Sequence, residues 1–456
     1  MPAEGRDVLV RYKADLKNKM PRPAYQPRAY SKEDILDTIQ KGILTMASPL
    51  MGDEDKGWFA DNMAAPPADD KHKLRKTWYA SYNRGVAGIL YTLAQANTAG
   101  LDTSATNPFI ARALDLIRDK YISRIAKAKT GLHFGSDGIA ASLATAVQQG
   151  LIKPTTQHMN WIGLLLEKEN LGSDIVNGGP GQGIAVMISA QFLGQQMVND
   201  RLRSIAQKLI ARQDKDGSWA TGYYRQKLTR RKIKRATRGF MEGLSGAIYF
   251  LLEYGYRYSD TASKEAATRG LKWLMNKAKH SKGTVTWKTA SNKEMIYGLS
   301  DGVAGLALTF IKAYQHTGLP VYRDYAVKAL RSIPEDLTDS NITQRNGLSG
   351  LGEVYLEAYT VLDNEEWLDR AGWIAQVIMN LKKLHPKYGT YWLADHERQP
   401  VANFMVGNSG VMHFLLRYCH PSRISLPMME KQPYTSFDTF QQPDKSISVY
   451  EPAPTA

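Results

Sequence analysis

The chain has 456 residues, with 59 basic against 44 acidic side chains, a formal charge of +15 and a pI near 9.5. With 43% hydrophobic and 10% aromatic residues it can build a large core, which excludes a wholly disordered or low-complexity protein. The single cysteine, Cys419, excludes a disulfide scaffold or a multi-cysteine zinc cluster and suits a reducing cytoplasm; no apolar run reaches the ~18 residues of a membrane span. The opening MPAEGRDVLVRYK also lacks the apolar region of a secretory signal. The basic balance points to an acidic partner: a peptide, a phosphorylated group or nucleic acid.

Residues 1–30 carry four prolines and no helical period, and read as an extended basic arm. Helical texture begins at Ser31, whose hydroxyl precedes Asp34 by three residues in a capping-box pattern, with Ile35, Ile39 and Ile43 on one face. Residues 50–76, with Pro66-Pro67, read as a loop before the main body, which is placed at 31–424. From 425 the composition turns polar and proline-dotted, and residues 425–456 read as a disordered tail.

Between these ends the chain repeats itself. Seven segments join a glycine-rich knot to an apolar run of helical length: YNRGVAGILYTLA (82–94), HFGSDGIAASLA (133–144), DIVNGGPGQGIAVMI (174–188), GFMEGLSGAIYFLL (239–252), YGLSDGVAGLALTFI (297–311), RNGLSGLGEVYLEAY (345–359) and NFMVGNSGVMHFLLRY (403–418). In the second copy Ala141 is read in place of the second glycine. Knots recur about every 40–65 residues, room for two helices and their loops, which is the pattern of helical-hairpin repeats. Glycine at each knot permits a positive φ and close backbone approach, and the following helix would direct free N–H groups at the knot. If the repeats close, seven helix N-termini line one anion-tolerant bowl. Glycine placed only for tight hairpin packing explains any single knot as well. A second echo, in DGSWATGYY (216–224), KGTVTW (282–287) and YGTYW (388–392), predicts short extended excursions whose Trp packs on the bundle.

At these knots, and at the lead-in ILDTIQKGILTMASP (35–49), the sequence resembles the lanthionine synthetase C-like family, over about residues 35–420. The resemblance implies an all-α toroid of seven helical hairpins in inner and outer rings. It also implies an activity that joins a peptide cysteine thiol to dehydroalanine or dehydrobutyrine. The usual members hold zinc with a Cys in the fifth knot and a Cys-His pair in the sixth. Here the sixth knot has Arg345 and Asn346, and the fifth has Ile296 or Ser300, depending on the glycine aligned. No thiolate stands at either place, so neither a metal nor another cofactor is expected, as in the cyclase domain of class III synthetases, which this chain resembles. Cys419-His420 lies past the last helix and reads as a buried thiol.

A free thiol is already a few per cent thiolate near neutrality, so the addition needs positioning, a base and a proton donor rather than a metal. Asp174 matches a family position proposed for acid/base work, and Glu242 stands where relatives often carry His. Helix capping and a favourable dipole compete as explanations for these two. Asp137 and Asp301 are further carboxylates in Ser-Asp-Gly triplets, and His133 lies at the same end. Arg345 and Asn346 would bind a peptide carbonyl or a phosphate.

The run RQKLTRRKIKRATR (225–238), with eight basic residues, would attract an acidic leader peptide or phosphorylated Ser/Thr; nucleic acid ranks below these, because no recognition motif accompanies it. The expected partners are a precursor peptide and separate kinase/lyase proteins. The expected activity is zinc-independent formation of lanthionine or labionin. The alternatives are a catalytically silent peptide-binding scaffold and, third, an α/α barrel acting on terpenoid or sugar substrates.

Overall fold

The computed structural model describes residues 29–61, 74–220, 222–225, 232–288, 296–335, 341–394 and 399–429. Seven helices follow the seven knots: α2 (Val86–Thr98), α4 (Ser136–Gln148), α6 (Gly179–Ser189), α8 (Leu244–Arg257), α10 (Val303–Thr317), α12 (Leu348–Leu362) and α14 (Asn408–Cys419). These are apolar around most of their circumference: in α2 every residue from Val86 to Ala96 is buried. Such a helix needs cover on all sides. Seven others are α1 (Lys32–Met46), α3 (Asn107–Lys120), α5 (Thr156–Glu167), α7 (Gln195–Ala211), α9 (Thr261–Asn276), α11 (Pro320–Arg331) and α13 (Glu365–Leu381). They bury a single stripe, as in α3, where Phe109, Ile110, Ala113 and Ile117 face inward. The two burial patterns assign the first set to an inner ring and the second to an outer one.

Each inner helix packs on the next, and α14 packs back on α2, so the ring is closed. The last inner helix takes its outer partner from the other end of the chain: α1 packs on α14. The capping box at α1 forms as expected, Ser31 Oγ accepting from Asp34 N and Asp34 Oδ2 from Ser31 N. Ile35, Ile39 and Ile43 are buried.

The loop expected over 50–76 contains two short antiparallel pairs, Gly52–Asp53 with Gly57–Trp58 and Ala60–Asp61 with Lys76–Thr77. The Trp echo holds and gains a fourth member. The indole N–H groups of Trp58, Trp219, Trp287 and Trp392 donate to Met46, Leu209, Leu274 and Ile378 at 2.8–2.9 Å. Each indole thereby satisfies a carbonyl in the last turns of an outer helix, which would otherwise lie buried without a partner. Among the described residues no helix is long and apolar enough to cross a membrane.

After α14 the chain turns and re-enters the ring. Ile424, Leu426, Met428 and Met429 are buried there, so the boundary drawn at 424/425 falls inside a packed segment. The rest of the tail, from 430, lies outside the described residues.

Candidate functional site: the knot face

All seven knots share the pattern Gly-x-x-Gly. The first glycine is the helix N-cap (Gly85, Gly135, Gly178, Gly243, Gly302, Gly347, Gly407), and the second lies three residues on. Two expectations change with this. The second copy is complete, with Gly135 and Gly138, and Ala141 belongs to the helix body. The N-cap glycines have φ between −107° and −130°, an extended backbone, so no positive φ is in use. Close approach is what demands glycine. A Cβ on Gly138 would lie 1.8 Å from Leu132 O, and one on Gly246 2.4 Å from Phe240 O.

The same fold-back occupies the first donor of every inner helix. At every knot the first helical N–H bonds the carbonyl seven residues earlier, as in Val86 N to Tyr79 O, Leu244 N to Thr237 O and Asn408 N to Val401 O. One of the orphan donors of each inner helix start is thereby satisfied within its own loop.

The knots are also laced to one another. Asn83 N donates to His133 O, His133 N to Val176 O, Ile175 N to Met241 O and Met241 N to Ser300 O. Ser300 N then donates to Arg345 O, Arg345 N to Met405 O, and Met405 N returns to Asn83 O, all at 2.9–3.2 Å. This closed circuit fixes every side chain's depth by its distance from the N-cap glycine. Three residues before it is an interior layer: Tyr82, Leu132, Ile175, Phe240, Leu299, Gln344 and Phe404. The residues of the circuit come next. Arg84, Phe134, Asn177, Glu242, Asp301 and Asn346 follow on the outside, while Val406 at the same step is buried. The outer layer was legible as a spacing from glycine, but not which of its members meet.

The structure brings most of the predicted residues together. Arg345 Nη2 lies 3.4 Å from Glu242 Oε1 and 4.0 Å from Asp301 Oδ2, all three side chains partly exposed. Asn346 Nδ2 donates to Asp301 Oδ2 at 3.4 Å, and its Oδ1 accepts from Ser300 N at 3.1 Å. Burial, with Asp301 and Asp174 nearby, raises the Glu242 carboxyl above its ordinary value against the pull of Arg345. Asp174 is raised by burial. Its Oδ1 accepts from Asn177 N at 2.8 Å inside the loop, while Gly178 is the N-cap, so Asp174 caps no helix.

His133 sits one layer down and is buried. Burial and then the Arg345 charge push it down to about 4, so it is neutral at physiological pH. Asp137 is buried away from this group, holding Gly131 N at 2.7 Å and Gln182 Nε2 at 3.0 Å. Cys419 is buried at the end of α14 with its thiol pushed up to about 12, a packed and unreactive group.

Gly302 is the fifth N-cap, so Ser300, not Ile296, is in step with Arg345. Whichever of Ile296 and Ser300 is counted at the fifth knot, it offers an alkyl group or a hydroxyl beside the guanidinium of Arg345 and the amide of Asn346, and no thiolate. A fixed cation beside an amide, with no thiolate or imidazole in either place, does not fit a tetrahedral zinc site. Among the described residues no three His, Cys, Asp or Glu side chains cluster as metal ligands would.

Sequence reasoning missed a buried ionic core below the knots. His413 Nδ1 is 2.7 Å from Glu353 Oε1, Arg417 Nη1 is 3.0 Å from Glu353 Oε2, and Arg417 Nη2 also bonds Glu357. Lys312 Nζ meets the other oxygen of Glu357 at 2.5 Å. The signal was two glutamates four apart inside the apolar run GLGEVYLEAY.

The lanthionine synthetase C-like family model matches residues 77–431. No curated protein sequence matches the chain. Among solved structures, nisin cyclase is similar at 17% identity with a TM-score of 0.58, over 76% of this chain and 90% of that one. An unsaturated glucuronyl hydrolase specific for heparin (11% identity, 85% and 95% covered, TM-score 0.42) is more distant. So is an α-1,6-mannanase from a Salegentibacter species (13%, 86% and 99%, 0.43). With the family matched over most of its length and a closed seven-hairpin ring, the chain belongs to the lanthionine synthetase C-like family.

Proposed function

We propose that the protein is a zinc-independent lanthipeptide cyclase or cyclase subunit, acting on a dehydrated precursor peptide supplied by separate kinase/lyase proteins. One observation carries this reading: on the knot face the Arg345 guanidinium is flanked by the carboxylates of Glu242 and Asp301. A fixed guanidinium supplies the positive charge that stabilises a thiolate and then the enolate oxygen. Glu242, with its carboxyl raised, takes the thiol proton as sulfur attacks Cβ of the dehydro residue. The resulting enolate is held by Arg345, and the proton returns to Cα from Glu242 or Asp174, giving a thioether with all atoms accounted for. Attack of that enolate on a second dehydroalanine gives labionin. Asn346 orients Asp301 and offers its amide to the peptide, while neutral His133 supports the layer from below.

The test is to incubate the purified chain with a dehydrated precursor and count free thiols over time. Arg345→Ala should slow thiol loss at least tenfold, and Glu242→Gln and Asp174→Asn should alter the rate or the ring stereochemistry. If all three leave both unchanged, the ring is a peptide-binding scaffold and closure is spontaneous.

A further inference from the structure

We propose that the hole through the inner ring is a seat for a short apolar peptide segment, held in this chain by its own residues 426–429 and open to exchange. The segment is neither helix nor strand. It leaves α14 through a turn, Ile424 N to His420 O at 3.0 Å, with Ser422 and Arg423 exposed outside and Leu426, Met428 and Met429 buried within. Inside it meets the interior layer that the seven knots contribute, among them Tyr82, Phe240 and Phe404.

The ring grips main-chain atoms of the segment and of Ile424, which leads into it, and leaves the side chains to an apolar wall, the division of labour of a peptide-binding groove. Arg417 Nε donates to Ile424 O at 3.2 Å, and Tyr91 Oη accepts from Met428 N at 3.2 Å. The buried ionic core holds the first of these groups in place, and stacking on His413 holds the second. On the far side a polar recess of about 500 Å³, lined by Gln95, Thr145, Gln149 and Arg423, borders Met429 and leaves the segment a way out.

Three features favour exchange. Met428 sits at φ +54°, a left-handed backbone unfavourable for a side chain of its size, so departure relieves strain. A void of about 40 Å³ remains between the segment and the interior layer, so the fit is incomplete. Met241 and Met405, in the wall, are unbranched and polarizable and can repack around a different occupant. The seat lies directly beneath the layer that carries Arg345 and His133. An incoming peptide that extends an apolar side chain below that layer would compete with residues 426–429. That consequence rests on the cyclisation reading, whereas the seat itself does not.

Hydrogen exchange on the intact chain tests the proposal first. The amides of Ile424, Ser425, Leu426, Met428 and Met429 should exchange at least tenfold faster than those of the middle of α12. Exchange at the α12 rate, through global unfolding alone, would overturn it. In the second arm a fluorescein-labelled peptide of residues 424–431 (ISLPMMEK) is titrated into the full-length Leu426→Asp/Met428→Asp variant, after its helical circular dichroism is checked. Anisotropy should report one site, at least tenfold tighter than in the parent chain, and no binding of a peptide carrying the same two aspartates. A folded variant that binds neither peptide, or both alike, sinks the idea. If the variant does not fold, the exchange rates decide. Peptide exchange without any effect of Arg345→Ala on thiol loss would remove only the cyclase reading.

Discussion

Glycine at the second position of each knot is a steric requirement, because a Cβ there would meet the carbonyl six residues earlier. Gly246→Ala puts that atom 2.4 Å from Phe240 O and 2.6 Å from Ile175 Cγ1. Neither a backbone carbonyl nor a neighbouring knot can move without disturbing the lacing. The variant is expected to lose about 1–3 kcal/mol in urea unfolding, even though alanine is the better helix former. A stability equal to the parent's would mean that the fold-back is looser than described. Arg345 illustrates the converse. Its position in the knot was visible in the sequence, and so was the loss of the thiolate. Its pairing with Glu242, 103 residues away, was not, because it depends on which knots become neighbours.

Among the elements, the outer helices were the easiest to read, since an apolar stripe every three or four residues is a local pattern. The inner helices hide their polar content. Glu353 and Glu357 on α12 are fully buried against His413 and Arg417 on α14 and Lys312 on α10, an arrangement that ties three consecutive inner helices. Removing one partner leaves an uncompensated buried charge, so Glu353→Ala is expected to cost about 3–5 kcal/mol in chemical unfolding. Trp219→Phe offers a milder comparison. Part of the ring volume is removed and Leu209 O is left without its donor, which should cost about 2–3 kcal/mol. If the Trp substitution proved the more damaging, the ionic core would be worth less than its geometry implies.

The pH dependence of stability belongs to the whole molecule, because its groups sit in different hairpins. His133, held at about 4 by burial and then Arg345, is protonated first in the unfolded chain, so its contribution falls as pH drops from about 6.5 to 4. Asp137, raised by burial to about 6, acts oppositely: its buried charge is relieved as pH falls from 6 toward 4. The two offset over most of that window. Burial by itself would raise Glu357, but Lys312 and Arg417 outweigh it and hold the carboxyl at about 2. Its contribution is complete above the unfolded value near 4.3 and disappears as pH falls toward 2. The melting temperature should therefore be nearly flat from pH 6.5 to 4.5 and fall steeply below. In His133→Gln, with one of the opposed contributions gone, it should rise between pH 6 and 4.5. A parent protein that loses stability steadily from pH 6.5 would contradict this balance.

The amino-acid sequence by itself determined the helices, the seven-fold repeat and the missing thiolates, because helical periodicity, capping and glycine spacing act within a few residues. It also carried the family resemblance, since that is a pattern of knots. Only the tertiary structure decided that the first and last hairpins close the ring, with Met405 N reaching Asn83 O, and that the end of the chain fills the hole. It also decided that the first N–H of each inner helix is paired inside its own loop, and it brought Arg345, Glu242 and Asp301 together. The physical reason is one of distance along the chain. Ring closure and the juxtaposition of knots are set by packing between residues scores to hundreds of positions apart, and no local propensity encodes which of those partners will meet.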